Sequence, residues 1–210
     1  MTSRPSLHGA WGRRWVTIGG GARFETQSVV WLQAGPCYAD VRVPFHIAAE
    51  SRCFTGRSRW DGDRFRWTHE LDLEGSDSPA ADDTGRLTFV AGGVIERGEF
   101  PTAAGAVAYE EMWSEEPGGD GPWEAFVAPH ACRVQVGAHA ITVVDYRNWG
   151  KGFAASYWVR IADRWTARLA IGDSDSLPAP DASLSPDWKL VGSGNTHWTE
   201  DPRLEQTWTP

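Results

Sequence analysis

An all-β chain that closes as an antiparallel up-and-down barrel is predicted by three features of the sequence. Apolar and polar residues alternate with period two in almost every segment. Turns centred on Gly and Pro recur at short intervals, and no long stretch carries the spacing of an amphipathic helix. About ten to twelve strands linked in this way favour closure, which removes exposed sheet edges; a β-sandwich is the alternative. A chain of 210 residues suits one such domain over 1–210.

The elements follow in order. Trp11 to Ile18 opens the alternation and stops at Gly19-Gly20-Gly21, a flexible turn rather than a phosphate cradle. Ser28 to Gln33 is apolar and β-branched and is broken by Ala34-Gly35-Pro36. Cys37 to Val43 places Cys37, Ala39, Val41 and Val43 on one face, with Tyr38, Asp40 and Arg42 on the other. Pro44 ends that strand, and Phe45 to Ser51 reads as a short helix or lid. Arg52 to Trp60 and Arg64 to Leu73 form a hairpin about Asp61-Gly62-Asp63, since a type I′ turn needs positive φ. In its second arm Phe65, Trp67, His69, Leu71 and Leu73 share a face.

Gly75 to Thr84 is polar and reads as a loop, and Arg86 to Ala91 and Val94 to Phe100 as a hairpin about Gly92-Gly93. Ala106 to Trp113 is a strand ahead of the acidic, Gly-rich loop Glu115 to Pro122. The segments Trp123–Ala128, Cys132–Val136, Ala140–Arg147, Phe153–Ile161 and Trp165–Ile171 continue the strand pattern, with a tip at Asn148 to Gly152. Asp173 to Pro186 reads as an irregular loop and the best linker candidate, and Trp188 to Gly192 as a last strand closing onto the first.

Composition narrows the partners. With 28 acidic against 20 basic residues the formal charge is −8, which repels nucleic-acid backbones and anionic membranes. Arg13, Arg14, Arg57, Arg59, Arg64 and Arg66 crowd the first third, as solvated strand faces and hairpin tips or, alternatively, as a local basic patch. Three cysteines, Cys37, Cys53 and Cys132, without a CxxC pair argue against a disulfide scaffold or a zinc site. The first residues lack an apolar leader run, and no stretch approaches the ~18 residues of a membrane span, so a cytoplasmic location is expected. The 13 tryptophans exceed what a core of this size needs and suggest an aromatic-lined cavity.

Gly9-Ala10-Trp11, ahead of meandering strands, resembles the Gly-x-Trp entry of lipocalin-like (calycin) barrels. Trp31-Leu32-Gln33, Tyr38-Ala39-Asp40-Val41-Arg42 and Trp67-Thr68-His69-Glu70-Leu71-Asp72 look like the fungal HRI-one-like group of such barrels. The likeness covers residues 9–100, and the second half carries no matching motif. It implies a cupped barrel holding a small, largely apolar molecule. Some lipocalin-like barrels bind passively, while others catalyse isomerisation, cyclisation or elimination.

The residues themselves offer candidates for that chemistry. His69 shares a face with Trp67; inside a barrel, burial would lower its pKa and make it a neutral base near pH 7, and a structural His is the alternative. Asp40 and Arg42, two apart, emerge together to orient a polar group, or serve as a salt-bridge strut. Tyr109, Glu111 and Trp113 share another face, where Glu111 is a candidate general acid while Glu110 points to solvent; Thr142, Val144 and Tyr146 alternate likewise. Trp31, Trp67, Tyr109, Trp113, Tyr146 and Trp158 are the candidate ligand-contacting aromatics.

No metal is expected, because His46, His130, His139 and His197 lack partners at metal-ligand spacing. No cofactor is expected either, although a haem on a single axial His leaves no spacing signature and stays open. No GxGxxG after a strand, Walker loop or GxSxG occurs. The leading expectation is a barrel binding a small apolar or aromatic molecule, as an isomerase-type acid–base enzyme or as a carrier. The other classes are a haem barrel and a protein-interaction module with exposed tryptophans.

Overall fold

A computed structural model describes residues 6–46, 50–74, 83–150 and 152–195 of the chain. The strands, in chain order, are β1 (Gly9–Ile18), β2 (Gln27–Ala34), β3 (Cys37–Pro44), β4 (Arg52–Asp61), β5 (Arg64–Asp72), β6 (Asp83–Val90) and β7 (Gly93–Thr102). They continue as β8 (Gly105–Glu115), β9 (Trp123–Ala128), β10 (Ala131–Val136), β11 (His139–Asp145), β12 (Phe153–Ile161), β13 (Arg164–Ile171) and β14 (Lys189–Gly194). Local rules place them well. The Asp61-Gly62-Asp63 turn carries Gly62 at φ 62, the positive φ that a two-residue hairpin requires.

The expected up-and-down barrel is present. Strands β1 to β8 each pair antiparallel with the next, and β8 returns to β1. It takes eight strands; the other six form a separate sheet in the order β13-β12-β11-β10-β9-β14. The last strand therefore does not close onto the first. β14 pairs with β9, because β1 already has β2 and β8 on its two edges.

The second sheet lies against the barrel's outer wall. Val30, Leu32 and Ala34 of β2, Cys37, Ala39 and Val41 of β3, and Cys53 of β4 pack in one cluster with Ala125, Val134, Ile141, Val143, Ala155 and Tyr157. Strands β2 and β3 are thus covered on both faces, which is why they read as nearly continuous apolar runs. The cysteines of this layer are free and buried. At Gly35 the φ is 56, and a Cβ there would stand 2.7 Å from the Trp123 ring that caps the layer.

Register on β5 changes halfway. Gly56 opposes His69 but Thr55 opposes Leu71, so Glu70 is an extra residue, a β-bulge. Phe65, Trp67 and His69 point inwards, whereas Leu71 and Leu73 pack in the layer under the second sheet. The five residues expected on one face are therefore divided, since a single inserted residue turns every later side chain to the opposite face.

Asp173 to Pro186 is no linker. Leu177 packs on Ala131, Val144 and Ala154, and the buried Arg133 guanidinium donates to the Pro178 and Pro180 carbonyls, each at 3.1 Å. Of the helix or lid expected over Phe45 to Ser51, Phe45 and His46 form a bend, and 47–49 lie outside the described residues. The loop expected from Gly75 lies mostly outside them too, with Asp83 and Thr84 opening β6. No helix among the described residues is long and apolar enough to cross a membrane.

Candidate functional site

Alternation along β3 decides which side chains enter the lumen. Because Cys37, Ala39 and Val41 turn to the second sheet, Tyr38, Asp40 and Arg42 turn inwards. Trp31 of β2 and Phe54 of β4 stand directly across from Asp40 on its two sides. Asp83 of β6 opposes Trp67 of β5, and Glu96 of β7 opposes Glu111 of β8. Together Trp31, Tyr38, Asp40, Arg42, Phe54, Trp67, Asp83, Glu96 and Trp113 line a cavity of about 20 Å³, room for about one water.

Aromatic rings fill much of the remaining lumen. Trp31 meets Trp113 and Trp67 edge-on at 5.6 and 5.8 Å, and Phe65 meets Trp67 at 4.9 Å. The hollow expected for a largely apolar molecule is thus mostly occupied by the protein's own indoles. An eight-stranded barrel has an interior just wide enough for side chains to fill, and Trp is the largest of them.

Charge is concentrated at the cavity. Arg42 donates from Nε to Asp40 at 2.8 Å, and its Nη1 lies 3.9 Å from Glu111. Arg13 of β1 donates to Glu111 from Nη1 and to Glu25 from Nε at 2.8 Å. Burial works against the Arg42 cation, but Asp40 and Glu111 outweigh it and hold its pKa well above the ordinary value. The pair expected from the sequence therefore exists, half buried, and Asp40 is 3% exposed.

His69 behaves differently from expectation. Its Nδ1 lies 2.9 Å from Asp72 and its Nε2 3.2 Å from Asp83, and its ring stacks on Phe54 at 4.5 Å. Burial pulls its pKa down, yet the two carboxylates pull harder the other way and raise it to about 9. It is a cation at neutral pH, held behind the cavity wall through Asp83, and not a neutral base. Both nitrogens are engaged and the cavity has no room for a macrocycle, so a haem has no seat in the lumen as it stands.

Glu96 is the group that sequence reasoning missed. It accepts the Tyr109 hydroxyl at 2.7 Å and the Trp113 indole N–H at 3.0 Å, and it has no ion-pair partner among the described residues. Burial raises its pKa, and the Glu111 and Asp83 charges add to this, reaching about 8 despite the Tyr109 hydrogen bond. Burial and Glu96 likewise hold the Tyr109 phenol far above its usual range. The shared inward face of Tyr109, Glu111 and Trp113 holds, with Glu110 outside bonded to Arg97. A signal was available, since Glu96 alternates with Val94 and lies opposite Glu111, but the inward face of β7 was not fixed by pattern.

Two expected aromatics lie elsewhere. Tyr146 packs on the outer face of the second sheet beside Ala131 and Leu177, and Trp158 sits on β12 between Ala140 and Ala167. Tyr146 follows the end of β11 and Trp158 lies on β12, and neither strand is part of the barrel, so alternation could not carry them into it. His139 is bonded to the Tyr157 hydroxyl at 2.7 Å and the Pro117 carbonyl at 3.0 Å, His130 packs on Trp149, and His197 lies outside the described residues. Among the described residues no three His, Cys, Asp or Glu side chains gather as a metal site.

One residue of the cavity wall carries an orphaned polar atom. Trp31 is 2% exposed, and its indole Nε1–H has no acceptor among the described residues. Comparison of the chain with family models, with curated proteins and with solved structures finds no match.

Proposed function

We propose that the chain is a small-molecule-binding barrel whose site is the charged, aromatic-walled cavity of the lumen. The observation that carries this reading is the orphaned indole N–H of Trp31, a residue of the cavity wall, together with a Glu96 carboxyl that has no ion-pair partner among the described residues. A buried donor without an acceptor costs about 1–3 kcal/mol, which a bound molecule or an ordered water recovers. The ligand differs from the apolar one expected at first. It presents a small polar head to Glu96, Asp40–Arg42 and Trp31, which line that cavity.

The same groups suit acid–base work on the bound molecule. A carboxyl with a pKa about 8 changes protonation state close to neutral pH and can give or take a proton, with Asp40–Arg42 orienting the substrate. Isomerisation, cyclisation and elimination are the reaction classes this arrangement serves, and a passive carrier uses the same contacts without turnover. Kinship with the HRI-one-like barrels belongs to this proposal. Its quoted residues sit on β2, β3 and β5, where Trp31, Asp40, Arg42 and Trp67 supply the cavity wall.

A protein-interaction module is the second reading, favoured by the ring-filled lumen and by Trp149, which is 58% exposed. Native mass spectrometry of the full chain against a mixed small-molecule library separates the two. One-to-one adducts that weaken in both Arg42→Ala and Glu96→Gln support the cavity. Adducts indifferent to both substitutions, or no adduct at all, contradict it.

A further inference from the structure

Within the cavity the carboxylates are not equivalent. Asp40 is held by Arg42, Glu111 by Arg13, and Asp83 by His69. Glu96 sits among Glu111 and Tyr109 of β8, Asp83 of β6, Asp40 and Arg42 of β3 and, behind Glu111, Arg13 of β1. It has no cation of its own among the described residues, although it is 6% exposed. Both hydrogen bonds that reach it are donated to it, one to each oxygen, an arrangement that suits an anion and leaves further lone pairs free.

The sheet is shaped around this carboxyl. A Cβ at Gly85 would stand 2.9 Å from Glu96 Cγ, and one at Gly98 would stand 2.5 Å from Tyr109 Cζ. Neither glycine has a positive φ, so space and not backbone conformation is what a side chain there would violate. The void beside Glu96 is about the size of a water, which is also the size of an ammonium group. Trp31, Trp67 and Trp113 also line that void, and aromatic side chains attract a cation. The orphaned Trp31 N–H adds a demand for an acceptor close to the cation.

We infer that the cavity recognises a protonated amine, seating the ammonium on Glu96 and a neighbouring acceptor atom of the ligand on the Trp31 indole N–H. The inference rests on the small-molecule reading and names the ligand class for that site. Binding is proton-linked. With a pKa about 8, Glu96 releases its proton to solvent as the ammonium takes its place, so affinity falls as the pH drops below 8.

Isothermal titration calorimetry of the full chain with ethanolamine, ethylene glycol and glycolate tests this, since ethanolamine sets a hydroxyl acceptor beside its ammonium and is small. The amine binds the parent best, about tenfold more weakly at pH 7 than at pH 9. Binding at pH 7 releases close to one proton, read from buffers of different ionisation enthalpy. Glu96→Gln, checked for folding by circular dichroism, weakens the amine about tenfold or more and abolishes the proton release. Proton release is measured on the parent, so the test stands even if that variant does not fold. Equal or tighter binding of the alcohol or the acid, or amine binding without proton release, overturns the inference while leaving a small-molecule cavity. Failure of the amine alongside cavity adducts from the library has the same meaning. Failure of the amine and of every library member removes both.

Discussion

His69 carries its charge because of two carboxylates, and that charge makes a stability prediction with a definite sign. Its folded pKa, about 9, lies above the ordinary 6.5, so the folded state holds the proton more tightly. The resulting stabilisation is complete below about pH 6.5 and is lost as the pH rises through about 9. His69→Gln is therefore less stable than the parent in denaturant titrations at pH 6, and the difference vanishes by about pH 10. A difference that persists unchanged at alkaline pH assigns the loss to the Phe54 stack instead. Glu96 adds a decline of its own over a lower pH range. Its pKa rises from 4.5 to about 8 on folding, so the stabilisation is complete below about pH 4.5 and is lost as the pH rises through about 8. Glu96→Gln, which stays neutral, flattens that part of the curve.

At the same scale, legibility from sequence was uneven. Tyr38, Asp40 and Arg42 were readable as one face because strict alternation reports which side chains travel together. The direction of the His69 shift was not, because it depends on Asp83, fourteen residues away across a strand pair. The choice between Glu111 and Glu96 as the unpaired carboxyl depends on Arg13, which reaches Glu111 from ninety-eight residues away. No local pattern contains that contact.

At the scale of elements, the β5 bulge divides the hairpin's second arm between two environments. Asp72 returns to His69 inside while Leu71 and Leu73 go to the layer outside. Gly56 permits the close approach there, since a Cβ would stand 1.8 Å from the Thr68 carbonyl oxygen. Gly56→Ala has no flexible neighbour to displace and costs about 2 kcal/mol or more, read from the denaturant midpoint. A cost within about 0.5 kcal/mol would show that the backbone relaxes and that the bulge is not fixed by this glycine. Strands and turns were legible here because period and turn chemistry are local. The bulge was not, as Glu70 looks like any outward polar residue in the alternation.

For the whole molecule, the partition into eight and six strands follows from which edges remain free. Closure of β8 onto β1 uses both edges of the barrel, and the later strands must find another apolar surface. They find it on β2 and β3, whose outer faces carry Val30, Leu32, Ala39 and Val41. Pairing partners across such distances leave no trace in a single sequence, which is why a larger barrel was the natural expectation. A chain cut after Glu115 retains every barrel strand but uncovers that layer. It is expected to bind a hydrophobic dye and to associate more strongly than the full chain. A truncated barrel that stays monomeric and dye-silent contradicts the role given to the second sheet.

The central claim is that the charged end of the lumen, and no other surface, receives a small amine-bearing molecule. Indole N–H resonances of the 13 tryptophans report this most directly, in nitrogen–proton correlation spectra recorded with and without ethanolamine at pH 9. The account predicts that the Trp31 and Trp113 signals move together and saturably, Trp31 most as its free donor gains an acceptor, while Trp123, Trp158 and Trp188 stay in place. Stationary Trp31 and Trp113 signals at saturating amine, or shifts confined to the second sheet, would contradict it.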